Sequence, residues 1–235
     1  VTRRLRRDVP SRRSTRAPVV LLDAMGTLLR LEPPVPALVA GLAAAGHPHG
    51  PGAVEAALRA EIAHYRAHHL RGRDAAGLGG LRRECAAVLG AALDDPPPAP
   101  VLLELLLDAL RFAPYPDAPP LLAHLAAAGV PAVVVSDWDV SLHDHLRALG
   151  LADGVAAVVV SAAVGATKPD GRVFRAALDA VGAAPGDAVH CGDDPRRDLA
   201  GARAAGIRGV LLDREGVHGG LAPRIRTLAA LPALL

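Results

Sequence analysis

Val19-Val-Leu-Leu-Asp-Ala-Met-Gly-Thr-Leu-Leu29 decides how the rest of the chain is read: four apolar residues run into a carboxylate, Asp23, and the chain then turns through Gly26 and Thr27. A short Val/Leu run bounded by a turn signal reads as a strand buried on both faces of a parallel sheet, where no alternation is expected. Open α/β sheets place their ligands at the carboxyl ends of such strands. Taken alone, the stretch reads first as an ordinary strand followed by an Asp/Gly turn. Its meaning depends on the polar residues that later strands carry.

The chain has 235 residues, enough to bury a substantial core, as one large domain or as a core with a smaller insertion. Hydrophobic residues make up 51% and aromatics only 2%, so a base-stacking platform, and with it nucleic acid as a partner, is not expected. The formal net charge of +2 hides an asymmetry, because Arg3, Arg4, Arg6, Arg7, Arg12, Arg13 and Arg16 all precede the first strand and leave the remainder acidic. Residues 1–17 are expected to be a disordered basic tail, at most a weak anion-binding arm. The apolar run behind its paired arginines ends at Asp23, too soon for a signal peptide. No segment approaches a membrane span. Cys85 and Cys191, far apart in sequence, suit a reducing cytosol, hence a cytoplasmic location, and read as small buried hydrophobes.

Beyond Glu32-Pro-Pro the sequence stays helical for some eighty residues with no strand signal, which marks residues 33–113 as an inserted helical unit between core segments 18–32 and 114–235. A helix over Gly52–Leu70 aligns Val54, Leu58, Ile62 and Tyr65 on one face. His64, His68 and His69 on it are read as solvated, having no acidic or thiolate partner nearby. A Gly77-Leu-Gly-Gly80 loop leads into a third helix ending at Leu93. A fourth, Val101–Phe112, carries leucine on nearly every face and must be buried or meet a partner, a second copy of the chain being one candidate. Pro114–Pro120 reads as the return linker. Strands over 131–135, 155–160, 187–191 and 209–212 then alternate with helices over 121–128, 141–149, 171–181 and 195–205, and 221–231 closes the chain. That alternation argues for an α/β fold with a doubly wound parallel sheet.

Each strand ends in polar residues. After Asp23 come Ser136-Asp137-Trp138-Asp139 and Gly192-Asp193-Asp194 with Asp198 one helical turn on, and between these Thr167-Lys168-Pro169-Asp170 introduces a helix. In a parallel sheet these ends share one edge. Several carboxylates that close repel one another unless a cation is present, and Mg²⁺ prefers oxygen ligands and works with phosphates.

In this order, Asp23-Ala-Met-Gly-Thr-Leu28, Ser136, Lys168-Pro169-Asp170 and Gly192-Asp193-Asp194 with Asp198 and Gly201-Ala202 resemble the four motifs of the haloacid dehalogenase superfamily. The helical insertion between the first two is similar to that superfamily's type-1 cap. The resemblance implies a hydrolase with a HAD-like Rossmannoid core. Asp23 would be the nucleophile that forms an aspartyl intermediate, and Ser136 and Lys168 would hold the transferring group. Gly26, Thr27, Asp137 and Trp138 would contact substrate. Mg²⁺ would sit on Asp23, the Met25 backbone carbonyl and Asp193, with Asp194 or Asp198 assisting. A carboxylate attacking phosphorus needs the substrate's charge neutralised first, which a metal and an ammonium can do.

One departure matters as much as the match. Superfamily phosphatases carry a second aspartate two residues after the nucleophile to protonate the leaving group; here that residue is Met25. A thioether shuttles no protons, and losing a general acid/base costs about 10²–10⁴ in rate. The leading expectation is therefore Mg²⁺-dependent hydrolysis of a small phosphorylated metabolite, with activity weakened or altered by Met25. Two alternatives stand beside it: a 2-haloacid dehalogenase, whose chemistry needs no leaving-group acid, and a catalytically silent binding protein of the same fold.

Overall fold

The computed structural model describes residues 19–235. The basic tail lies outside the described residues. In chain order the elements are β1 (Val19–Leu22), β2 (Leu29–Leu31), α1 (Pro34–Ala44), α2 (Pro51–His68), α3 (Ala75–Ala91), α4 (Ala99–Ala109), β3 (Phe112–Pro114), α5 (Ala118–Ala127) and β4 (Ala132–Ser136). There follow α6 (Leu142–Ala148), β5 (Ala157–Val160), α7 (Ser161–Val164), α8 (Gly171–Val181), β6 (Ala188–Gly192), a π-wound segment (Pro195–Ala200), α9 (Gly201–Ala204), β7 (Arg208–Leu212), β8 (Arg224–Ile225) and a closing 3₁₀ segment (Leu228–Leu234).

Six strands form one parallel sheet in the order β5-β4-β1-β6-β7-β8. The chain winds outward from β1 to one side through β4 and β5, then returns to the other side through β6, β7 and β8. This reversal puts the topological switch point at the carboxyl end of β1, where open sheets bind ligands. The all-apolar run of β1 serves both faces. Val20 and Leu22 join a cluster with Leu121, Leu125, Val134 and Val189, while Val19 and Leu21 join another with Val133, Val135, Val173 and Phe174. Being covered twice is why the strand shows no alternation.

β2 and β3 pair antiparallel, so the chain leaves and re-enters the core through neighbouring strands. Between them α1–α4 share an apolar cluster of their own, with Leu38, Leu42, Leu58, Leu81, Leu89 and Leu106 at its centre. Prolines open α1, α2, α4 and α5, where the missing N–H costs nothing.

The structure differs from the sequence reading at several places. Gly77–Gly80 is not a loop but the start of α3: Asp74 caps the helix through Gly77 N, and a Cβ on Gly77 would collide with Arg71 O. Phe112 belongs to β3 rather than to a helix, and α5 starts at Ala118, so the expected linker is mostly regular structure. Residues 195–205 divide into a π-wound segment and a short α-helix instead of one helix. Only one face of α4 is buried, through Leu102, Leu106 and Ala109, with Val101 and Leu107 each 37% exposed. β8 has no apolar pattern of its own and exists only by pairing with Leu211 and Leu212. Among the described residues no helix is long and apolar enough to cross a membrane.

Candidate functional site

Asp23 follows β1 directly, and its N–H donates to Cys191 O at 3.0 Å, so the β1–β6 ladder fixes the first residue of the site. The chain then winds into a tight turn. The N–H groups of Thr27, Leu28 and Leu29 all donate to Ala24 O, at 3.2, 2.8 and 2.8 Å. Gly26 adopts φ +80°, and a Cβ there would collide with the Asp193 carboxylate. The left-handed backbone requires glycine, and any side chain there would also push the Asp193 carboxylate away.

The centre of the site is the ammonium of Lys168. It donates to Asp23 Oδ1 at 2.5 Å and to Asp198 Oδ1 at 2.6 Å, with all three side chains buried. Ser136, the last residue of β4, donates its hydroxyl to the same Asp23 oxygen at 3.2 Å. Asp198 is held on every side: His190 Nε2 meets Oδ1 at 2.9 Å, and Asp194 N donates to Oδ2 at 3.0 Å. Its carboxylate lies so close over Gly192 that no Cβ could be added there. Asp193 completes the group from the solvent side, and carboxylate oxygens of Asp23, Asp193 and Asp198 all fall within 4.8 Å of one another.

The charges are frustrated. Burial pushes the Asp23 carboxyl well above its usual range; Lys168 opposes the shift, while Asp198 and Asp193 add to it. Burial also raises Asp193, with help from the Asp198 charge, to about 6. For Asp198, burial is outweighed by Lys168 and His190, and its carboxyl falls below the ordinary value. Lys168 is buried too, but its two carboxylate neighbours hold it firmly protonated. One cation thus faces three carboxylates, an arrangement that suits a hard divalent ion with oxygen ligands.

Of the residues singled out from sequence, Asp23, Ser136, Lys168, Asp193, Asp198 and Gly26 come together. Others do not. The Asp194 carboxylate caps the π-wound segment, accepting from Arg196 N and Arg197 N at 2.8 Å each, and stands apart from the cluster. Asp137 pins the Lys168 backbone, accepting from its N–H at 2.8 Å. Trp138 is buried against Phe112, ring centres 5.0 Å apart, inside the core cluster. Thr27 is fully buried, with no hydrogen-bond partner for its hydroxyl among the described residues. Met25, in contrast, is 37% exposed.

Sequence reasoning missed several groups. His190 is wholly buried in β6, and burial lowers its pKa against the opposing pull of the Asp198 carboxylate; a polar residue within an apolar strand was the available signal. His69 is not solvated: it is buried, lies on a 3₁₀ turn beyond α2, and reaches Ser161 Oγ at 3.0 Å. His64 does have an acidic neighbour, Glu84 at 3.4 Å. Beside this contact the Tyr65 hydroxyl donates to Asp139 Oδ2 at 2.9 Å, and Val140 N donates to Gly72 O at 3.0 Å. The bonds of His69, Tyr65 and Gly72 tie the helical unit to the loop after β4 and to the start of α7. Arg214, after β7, donates to the carbonyls of Gly26 and Thr27. No local pattern announces contacts of that sequence separation.

The sequence profile of the haloacid dehalogenase-like hydrolases matches residues 17–206. Phosphoserine phosphatase of Thermus thermophilus is 40% identical over 105 residues, 44% of this chain and 42% of that protein, so the match spans less than half of that curated relative. Among solved structures, a HAD phosphatase from Thermococcus onnurineus is 26% identical with a TM-score of 0.67, covering 92% of this chain and 97% of that one. An L-2-haloacid dehalogenase from Xanthobacter autotrophicus shares the fold at 22% identity and a TM-score of 0.65, covering 93% of this chain and 98% of its own.

Proposed function

The chain belongs to the haloacid dehalogenase-like hydrolase family, and from that premise we propose that it hydrolyses a small phosphorylated metabolite, with Asp23 as nucleophile and Mg²⁺ as cofactor. The observation that carries the reading is the position of Lys168 between Asp23 and Asp198, with Asp193 open to solvent beside them.

The donor set fits the metal: three carboxylates within mutual reach of one ion and a single compensating ammonium leave negative charge for a divalent cation to balance. Asp23 and Asp193 would hold it, with Asp198 behind them. When bound, Mg²⁺ would neutralise substrate charge during phosphoryl transfer.

The chain's own residues supply the rest. Lys168 and Ser136 both contact Asp23 Oδ1, which leaves Oδ2 as the oxygen for attack. A bond forms from that oxygen to phosphorus as the ester P–O bond breaks, giving an aspartyl phosphate that water then cleaves. The ammonium and hydroxyl are placed to receive the charge that develops on the phosphoryl oxygens. Met25 offers no proton to the departing alkoxide, so substrates with stable leaving groups, such as aryl and acyl phosphates, are favoured. Purified protein should release phosphate from these with Mg²⁺ and not after chelation; no release from either class would defeat the proposal.

The dehalogenase reading keeps one supporting observation, Met25 itself, an apolar residue at the position of the missing acid. Chloride release from a 2-chloro acid without added metal would decide for it. The buried, unbonded thiols of Cys85 and Cys191 support a reducing compartment, and we place the protein in the cytoplasm.

A further inference from the structure

We propose that Arg214 is a positioning residue for Asp23, acting through the turn that follows it; this rests on the hydrolase reading above. Its guanidinium is anchored on the core side by Asp117, with Nη1 and Nη2 donating to the two carboxylate oxygens at 2.9 Å each. Asp117 is itself fixed by Leu228 N at 2.9 Å. The central carbon of the guanidinium lies over the Tyr115 ring, 3.8 Å from its centre, and Tyr115 N donates to Leu28 O at 2.9 Å.

The remaining donors are aimed at the turn. Arg214 Nε reaches Gly26 O at 3.3 Å and Nη2 reaches Thr27 O at 2.8 Å. In a planar trans peptide the carbonyl and the following N–H point in opposite directions. Fixing Gly26 O therefore sends Thr27 N–H the other way, to Ala24 O, and fixing Thr27 O sends Leu28 N–H to the same oxygen. Two hydrogen-bonded relays run from Arg214 and converge on the carbonyl of Ala24, the residue bonded to Asp23. Such chains strengthen one another in a low-dielectric interior. The same turn leads into β2, through which the helical unit leaves the core. One guanidinium thus sets the nucleophile's backbone and the root of the insertion together. Lysine cannot replace it, having no planar fork to hold Asp117 and two carbonyls at once.

The test compares wild type, Arg214→Met and Arg214→Lys in the full chain by hydrogen exchange and by kinetics on an aryl phosphate with Mg²⁺. The amides of Thr27, Leu28 and Leu29 should exchange about tenfold faster in both variants, while amides of β4 and β6 keep their protection. The kcat should fall about 10- to 100-fold with KM within about twofold, because a misplaced nucleophile slows chemistry without weakening binding. Millimolar guanidinium should restore part of the kcat of Arg214→Met. Unchanged turn exchange, or exchange raised equally throughout the sheet, overturns the proposal, as does an unchanged kcat. If wild type itself releases no phosphate, the hydrolase reading fails and the exchange result alone decides whether Arg214 holds the turn.

Discussion

Lys168 Nζ and Asp23 Oδ1 meet at 2.5 Å across 145 residues of sequence, and the same ammonium touches Asp198 Oδ1 at 2.6 Å. Lys168→Met should therefore leave two buried carboxylates without their shared cation. Breaking a buried pair from one side costs about 3–5 kcal/mol. Denaturant unfolding of the metal-free variant should show a loss of that size, accompanied by loss of phosphate release. Stability equal to wild type would mean that Lys168 does not compensate the site.

Asp23→Asn removes the proposed nucleophile and one member of the repelling carboxylate group while keeping its shape. Turnover should drop by about 10⁴-fold or more. Thermal unfolding without metal should show no loss of stability, since the charge that burial opposes is gone. Retained turnover in this variant would assign the nucleophile elsewhere.

Met25→Asp places a carboxyl at the position the proton donor takes in related phosphatases. Met25 is 37% exposed, so the change displaces no core packing. On alkyl phosphates kcat should rise about 10²- to 10⁴-fold, with a smaller gain on aryl phosphates, whose leaving groups need little protonation. Equal gains on both substrate classes would contradict a general-acid role for this position.

Asp193 should make a contribution to the stability of the metal-free protein that is lost as pH rises from about 4 to about 6. Burial and then the Asp198 charge lift the folded-state Asp193 carboxyl from an ordinary 3.8 to about 6, so the folded chain binds more protons than the unfolded one between those values. The Asp193 contribution is then fully present below the unfolded value and is lost as pH climbs through the folded one. Mg²⁺ bound at Asp193 as proposed would have to displace the extra proton, so the metal should raise the melting temperature at pH 8 and hardly at pH 5. A metal-induced shift of equal size at both pH values would mean that Asp193 is not a ligand.

Sequence alone was enough for the parallel sheet and for the order of its polar strand ends. A strand covered on both faces is written in its own residues, as in Val19–Leu22 and Val133–Val135, and a turn glycine such as Gly26 is demanded by its own backbone angle. Asp23, Asp137 and Asp193 could be listed for the same reason, since each follows a strand that can be read locally. What the sequence could not supply was which of two adjacent aspartates joins the cluster. Asp193 and Asp194 are neighbours in the chain, yet one faces Asp23 and the other caps the following segment, a choice made by how that segment packs on β6 and β7. Arg214 and the Tyr65–Asp139 contact were equally hidden, because each takes its role from a partner brought close only when the sheet, its crossovers and the helical unit are assembled. Local residue types decide where a strand ends and what it carries; only packing decides which of those groups share a charge, a proton or a hydrogen bond.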